Sequence, residues 1–235
     1  MSALPPGTIL QLMYLKEGLR DIEPGRFIEI GPGSGEVTSV LLELGWGGVS
    51  YDLEPRTVEL LKNRFLREIL EGQYKAKNED FLSIDEYSEG GVDLIISCMV
   101  MEHLSDDLEN KFMQISSGLL SDNGLMIGFV PSSPAHWGIE DDIAGHCRRY
   151  TRDTLCKLMK CNGWYIRNLT GLTYPQSNIL FPISNFLVRR AEESKLTMTD
   201  LEKTKASGIR DVQFKTNFPS VLSLLLNRHV LLPLY

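Results

Sequence analysis

Glu29-Ile30-Gly31-Pro32-Gly33-Ser34-Gly35-Glu36-Val37-Thr38 is the stretch that decides the fold. Phe27 and Ile28 precede it, so FIEIG over 27–31 reads as a short apolar strand ending at glycine. Glu36 to Leu44 reads as a helix. Between them, Gly31, Gly33 and Gly35 let the backbone turn tightly and pass close to a ligand. A dinucleotide fingerprint reads GxGxxG, but these glycines run GxGxG, and Glu36 stands where the third glycine is wanted. A dinucleotide-dependent oxidoreductase is therefore the least favoured of the nucleotide-binding readings.

Working outward, the same alternation continues. GVSYD (48–52) is a second strand with an acid at its end, and Pro55 opens a helix to about Glu71, since proline suits a first helical turn. QYKAKNEDF (73–81) offers a third strand, and VDLIISCMV (92–100) a fourth that is too apolar for an edge. Asp106 to Leu120 is helical, and GLMIGFV (124–130) is a fifth strand entered through a turn at Asp122-Asn123-Gly124. Thr151 to Cys161 is a further helix and Trp164 to Leu169 a sixth strand. Strands alternating with helices predict a mostly parallel sheet covered on both faces. The expected division is a helical lead-in over 1–25, one cofactor domain over 26–170 and a mostly helical extension over 171–235.

Glu29 through Gly35 resembles the first motif, E/DxGxGxG, of class I S-adenosylmethionine-dependent methyltransferases. The resemblance runs over about 26–169 and implies a Rossmann-like α/β fold with S-adenosylmethionine as cofactor. It implies that Glu29, Gly31, Pro32, Gly33, Ser34 and Gly35 hold the amino-acid end of the cofactor. Asp52, 21 residues after Gly31, can accept both ribose hydroxyls, with Leu53 beside it. In similar enzymes an acid after the third strand meets the adenine amino group and its neighbour packs on the ring, which assigns Asp80 and Phe81. SCMVMEHL (97–104) resembles the segment bordering the methyl donor in small-molecule O-methyltransferases of the ubiquinone-pathway group, and places Cys98 and Met99 at the cofactor. That group can carry ExxEH here. This chain has Met99-Val100-Met101-Glu102-His103, and a thioether is a poor ligand for hard cations, so no required metal is expected.

A hydroxyl acceptor needs a base. It should lie beyond the carboxyl ends of the strands, where the long polar loop 131–150 also falls. His146 is the first candidate base, since imidazole titrates near neutral pH, with Asp141 or Asp142 to orient it; His103 is the second candidate. The competing structural reading has His146 and Arg149 latching the loop to the helix at Thr151. His136, Trp137, Arg148 and Arg149 are the expected acceptor contacts, the arginines suiting an acidic group unless ion-paired to nearby acids. The loop GIEDDIAGHCRRYT (138–151) resembles methyltransferases acting on sugars, lipid-linked glycans or natural products. The expected reaction is methyl transfer to a small-molecule, sugar or glycan hydroxyl. An amine acceptor and an inactive cofactor-binding scaffold are the alternatives.

Composition bounds these readings. With 235 residues, 43% of them hydrophobic, the chain can build one sizeable core. A net charge of -7 argues against nucleic acid as partner, as does the absence of a D/NPPY motif. Four cysteines without a CxxC pair suggest reduced thiols and a cytoplasmic protein, and the N-terminus does not read as a signal peptide. No apolar stretch approaches the roughly 20 residues that span a bilayer. The apolar segment 218–235 must be covered: by the sheet, by a second subunit in a homodimer, or by a membrane surface as an interfacial helix.

Overall fold

The computed structural model describes residues 4–84 and 91–173, together with 181, 182, 186, 188, 199, 202 and 203. The expected mostly helical extension over 171–235, with its apolar segment 218–235, lies largely outside these residues. Helix α1 (Pro6–Gly18) starts on a proline and buries Leu10 and Leu15. Five strands follow: β1 (Arg26–Ile30), β2 (Gly47–Tyr51), β3 (Tyr74–Lys77), β4 (Val92–Cys98) and β5 (Leu120–Phe129). They are all parallel, in the order β3-β2-β1-β4-β5. This is the parallel sheet that the alternating pattern predicts, in the Rossmann-like arrangement that the resemblance implies.

The connecting helices are α2 (Glu36–Glu43), α3 (Pro55–Arg64), α4 (Leu66–Leu70) and α5 (Asp106–Leu119), with α6 (Ile139–Ala144) and α7 (Arg152–Cys161) after β5. Side chains alternate across a strand, so each strand feeds two cores. Phe27, Leu94 and Ile96 join Val40, Leu41, Trp46 and Leu61 on one face. Ile28, Val49 and Ile95 join Phe112, Met113 and Leu119 on the other. Burying each large apolar side chain contributes roughly 1.5–3 kcal/mol, which is why the strands are apolar on both faces.

Strand order reverses next to β1. From β1 the chain moves to β2 and β3 on one side, then returns to β4 and β5 on the other. Ile28 pairs with Val49 and with Ile95, so a crevice opens beyond the carboxyl ends of β1 and β4. Open α/β sheets bind their ligands at such a switch point.

Four local readings change. The helix from Pro55 breaks at Phe65 (φ -112°, ψ 33°), whose buried ring meets Tyr74 at 5.4 Å between centroids. The third strand stops at Lys77, because Asn78 turns its side-chain amide to the Asp52 carbonyl, 2.9 Å away. Asp122-Asn123-Gly124 is not a turn before β5 but lies within it. Val92 pairs with Leu120 while Leu94 pairs with Leu125, so a bulge absorbs the extra residues. Trp164 to Leu169 forms no strand: the Trp164 N–H is spent on the Met159 carbonyl (2.9 Å), closing α7 past the left-handed Gly163.

Candidate active site

The loop after β1 is built by its glycines. Gly31, Gly33 and Gly35 all have left-handed backbones, with φ of 69°, 54° and 83°. At Gly31 a Cβ would meet Val100 Cγ2 at 2.7 Å and the Cys98 carbonyl oxygen at 3.2 Å, so the loop presses against the end of β4. At Gly35 it would strike Leu61 and Phe65, where α2 packs on α3. At Gly33 it would meet nothing within 4 Å: the backbone there faces open space. The Ser34 carbonyl accepts a hydrogen bond from Arg64 Nη1 (2.5 Å), and the same guanidinium pairs with Glu36 at 2.7 Å. Glu36 thus has a structural task, and Arg64 is a loop-holding residue that the sequence reading missed.

Beneath the loop, Glu29 is fully buried. Its Oε2 accepts hydrogen bonds from Thr38 Oγ1 (2.5 Å) and Ser50 Oγ (2.8 Å), while Oε1 is buried with no partner among the described residues. Burial pushes its carboxyl up to about 7, against the two hydroxyls that lower it, and the Asp52 charge raises it further. Asp52 lies just past the end of β2. Its Oδ1 accepts the Glu54 N–H at 2.8 Å, and burial raises its pKa. Leu53 is 38% exposed next to it.

Asp80 is exposed and caps the short turn Phe81–Ser83 by accepting the Leu82 N–H at 2.9 Å. Phe81 corrects the expectation of an adenine-stacking ring. It is buried, 5.1 Å from the Phe112 ring and 6.4 Å from Tyr51, and belongs to the core. The apolar surface offered beside Asp52 is that of Leu53. At the end of β4, burial pushes the Cys98 thiol up. Met99 is 46% exposed with φ 54°, and its N–H donates to the Phe129 carbonyl at 2.9 Å.

The loop 131–150 is organised around Asp141. This buried carboxylate accepts the Gly138 N–H (2.8 Å), the Arg149 Nε–H (2.7 Å) and a hydrogen bond from His146 Nδ1 (2.8 Å). Burial raises its pKa, but the bonds from His146, Arg149 and Gly138 outweigh it and hold the carboxyl at about 2. With Nδ1 donating, His146 turns Nε2 toward Glu102, 3.8 Å away, and its ring meets His103 edge-on at 4.8 Å. The Cys147 N–H donates to the Glu102 carbonyl at 2.7 Å and fastens the loop there. Glu102 is fully buried, and neither carboxylate oxygen has a hydrogen-bond partner among the described residues. Burial pushes it up to about 8, its own backbone opposing; the Asp141 charge raises it and Arg149 lowers it. In the sequence the two histidines are separate candidates, and Glu102 enters only through the ExxEH comparison.

Three other assignments change. Asp142 does not orient His146; it accepts the Trp137 Nε1–H at 2.9 Å. Arg148 is held by Glu109 (2.9 Å), Asp106 (2.8 Å) and the Leu104 carbonyl (2.7 Å). Arg149 is held by Asp141 and the Ser132 carbonyl (3.1 Å). Both guanidiniums brace the protein, so neither is free for an acidic acceptor group. His136 shares a hydrogen bond with Ser133 Oγ (2.7 Å) and touches Phe181 edge-on at 5.5 Å, while Trp137 is 40% exposed.

A glycine loop open over Gly33, a buried acid with one unused oxygen beneath it and a carboxylate past the neighbouring strand together suit a nucleoside carrying an amino acid. Loop and site thus define an α/β enzyme that binds S-adenosylmethionine. Residues 9–169 match the family described as "Methyltransferase domain", and the chain belongs to that family. The matched domain is thus an S-adenosylmethionine-dependent methyltransferase domain.

Among solved structures, it is similar to 1,6-didemethyltoxoflavin-N1-methyltransferase from Burkholderia thailandensis, solved with S-adenosylhomocysteine. The TM-score is 0.57 at 18% identity, covering 72% of each chain. An O-methyltransferase family protein from the same species has a TM-score of 0.53 at 12% identity, over 71% of this chain and 55% of that one. A chloroplastic ribosomal RNA small subunit methyltransferase of Arabidopsis thaliana is 29% identical over 92 residues, 39% of this chain. The match spans only 22% of that relative's length. Among the described residues, no helix is long and apolar enough to cross a membrane.

Proposed function

We propose that the methyl group goes to a hydroxyl of a small molecule, sugar or lipid-linked glycan, with His146 taking the proton. The observation that carries this reading is the Asp141–His146 pair. Asp141 holds Nδ1 at 2.8 Å, and Nε2 is left to accept a proton beside the end of β4. Methyl transfer needs a nucleophile in line, about 3 Å from the methyl carbon, with water kept out. When bound, the cofactor supplies an electrophilic methyl on a sulfonium sulfur. The chain's own part is to cradle it with Gly31–Gly35 and Asp52, and to remove the hydroxyl proton at Nε2. The buried Glu102 stands 3.8 Å from Nε2, and a positive imidazolium there favours its ionised form. A neutral amine acceptor would not need this base. A ribosomal RNA acceptor, as the plant relative's name implies for that protein, asks for a basic face, whereas this chain carries -7.

The test uses labelled cofactor and a panel of phenols, sugars and lipid-linked saccharides. His146→Ala is expected to lower turnover roughly 10²–10⁴-fold while S-adenosylhomocysteine affinity stays near wild type. Joint loss of cofactor binding and activity would reduce His146 to a loop latch. Full activity in the variant would remove it from the chemistry.

A further inference from the structure

Met99 and Ser133 are the two non-glycine residues with a left-handed backbone among the described residues. One follows β4 and the other follows β5, and these strands are neighbours. The Met99 N–H on the Phe129 carbonyl ties the two strand ends together, so both strained residues flank one opening. Such a backbone is costly for a residue with a side chain. It persists where the surroundings over-determine it, and such residues cluster at binding and active sites. At Ser133 (φ 62°, ψ 88°) the constraint is visible. Its N–H donates to the Tyr150 carbonyl and the Tyr150 N–H to the Pro131 carbonyl, both at 2.9 Å, while the Tyr150 hydroxyl is anchored on Glu109. Glycine would take this backbone without strain, so what the strain holds in place is the serine hydroxyl.

That hydroxyl meets His136 Nδ1 at 2.7 Å. Whichever of the two donates, the pair keeps one donor and one acceptor in reserve, divided between the Ser133 oxygen and His136 Nε2. Among the described residues, nothing takes up that Nε2. Trp137 follows, 40% exposed, with its Nε1–H spent on Asp142, so it offers apolar ring surface. Arg149 joins this pair to His146: its guanidinium runs from Asp141, which holds His146, to the Ser132 carbonyl. The two polar stations are thus braced against each other within one loop. Arg148 and Arg149 are both ion-paired, so neither suits an acidic acceptor.

We propose that Ser133 and His136 bind a second hydroxyl of the acceptor, next to the one that is methylated. The acceptor is then an uncharged ring with neighbouring hydroxyls, lying against Trp137. This rests on a hydroxyl acceptor and narrows its class. A hydroxyl both donates and accepts, which matches what the Ser133–His136 pair keeps in reserve. An analogue without that hydroxyl leaves the pair unsatisfied, and sites built on such contacts discriminate strongly.

The full chain is assayed with labelled cofactor on methyl hexopyranosides and on catechol. Each is set against the analogue lacking one neighbouring hydroxyl, a monodeoxy glycoside or phenol. A preference for the diol of roughly tenfold or more in kcat/KM is expected, and the series that shows it tells a sugar from a catechol. Ser133→Gly and His136→Phe should erase that preference, mainly through the KM of the diol, with S-adenosylhomocysteine affinity unchanged. Ser133→Gly should also melt no lower than wild type, because glycine relieves the backbone. A merely structural serine would not give lost preference in a protein of that stability. His146→Ala differs, lowering kcat on both members of a pair. Binding without turnover is read from the imidazole NMR signals of His136 in the S-adenosylhomocysteine complex, which should move with the diol and not with its analogue. Equal kcat/KM for diol and analogue would overturn the inference and leave the hydroxyl acceptor standing. So would a preference that survives both substitutions, or a His136 signal unmoved by every diol. Methylation of amines alone would sink the hydroxyl acceptor, and this inference with it.

Discussion

Glu29 is held near neutrality by its burial, which gives the fold a pH signature. Its carboxyl sits at about 7 in the folded protein against an ordinary 4.5. Between those values the unfolded chain has lost a proton that the folded protein retains, so stability falls as pH rises through the window and levels off above it. The contribution is about 3 kcal/mol. Glu29→Gln keeps an acceptor for Thr38 and Ser50 but cannot ionise. Denaturant midpoints of wild type and variant should therefore diverge between pH 5 and 7, the variant falling less; parallel profiles would contradict the assignment. Asp52 acts on the ligand instead. Asp52→Ala should weaken S-adenosylhomocysteine binding by ~1.5–3 kcal/mol through lost charge-assisted hydrogen bonds to the ribose. Calorimetry decides, and an unchanged dissociation constant in a folded variant would remove Asp52 from the site. The places of both acids, near the ends of β1 and β2, were legible in the sequence because each stands at a strand end at a set distance from the glycines. Phe81 was misread because its assignment rested on resemblance, and the Tyr51 and Phe112 rings that claim it are distant in sequence.

At the scale of elements, the strand–loop–helix unit Arg26–Glu43 separates packing from binding. Gly31→Ala would add a Cβ 2.7 Å from Val100 Cγ2 on a backbone with φ 69°. It should cost on the order of 1–3 kcal/mol of stability, read as a lower thermal midpoint. Gly33→Ala carries the unfavourable backbone alone, about 1–2 kcal/mol, since its Cβ meets nothing within 4 Å. With the cofactor lying over this loop, that methyl group would enter its space, and the variant should lose S-adenosylhomocysteine affinity out of proportion to its stability. Equal affinity in Gly33→Ala and wild type would show that the cofactor does not lie over this loop. The strands and helices of this unit were readable because their signals are local: apolar runs, glycines and a following helical period. The break at Phe65 and the bulge in β5 were not, because packing on Tyr74 and pairing with β4 produce them.

The whole molecule brings together what the sequence keeps apart. Parallel β1 and β4 place the Gly31 loop against Val100 and Cys98, and the same strand end leads into Glu102 and His103. The loop after β5 returns His146 to that point through the Cys147 N–H on the Glu102 carbonyl. A one-dimensional reading could pick out each histidine but not their meeting, nor the burial that makes Glu102 part of the cluster. This sheet presents its switch point to S-adenosylmethionine and not to a dinucleotide. Parallel calorimetric titrations of the full chain with S-adenosylhomocysteine and with NAD test it most directly. One S-adenosylhomocysteine site per chain is expected, lost or weakened in Gly33→Ala and Asp52→Ala, and no heat with NAD. Saturable NAD binding without S-adenosylhomocysteine binding would contradict it.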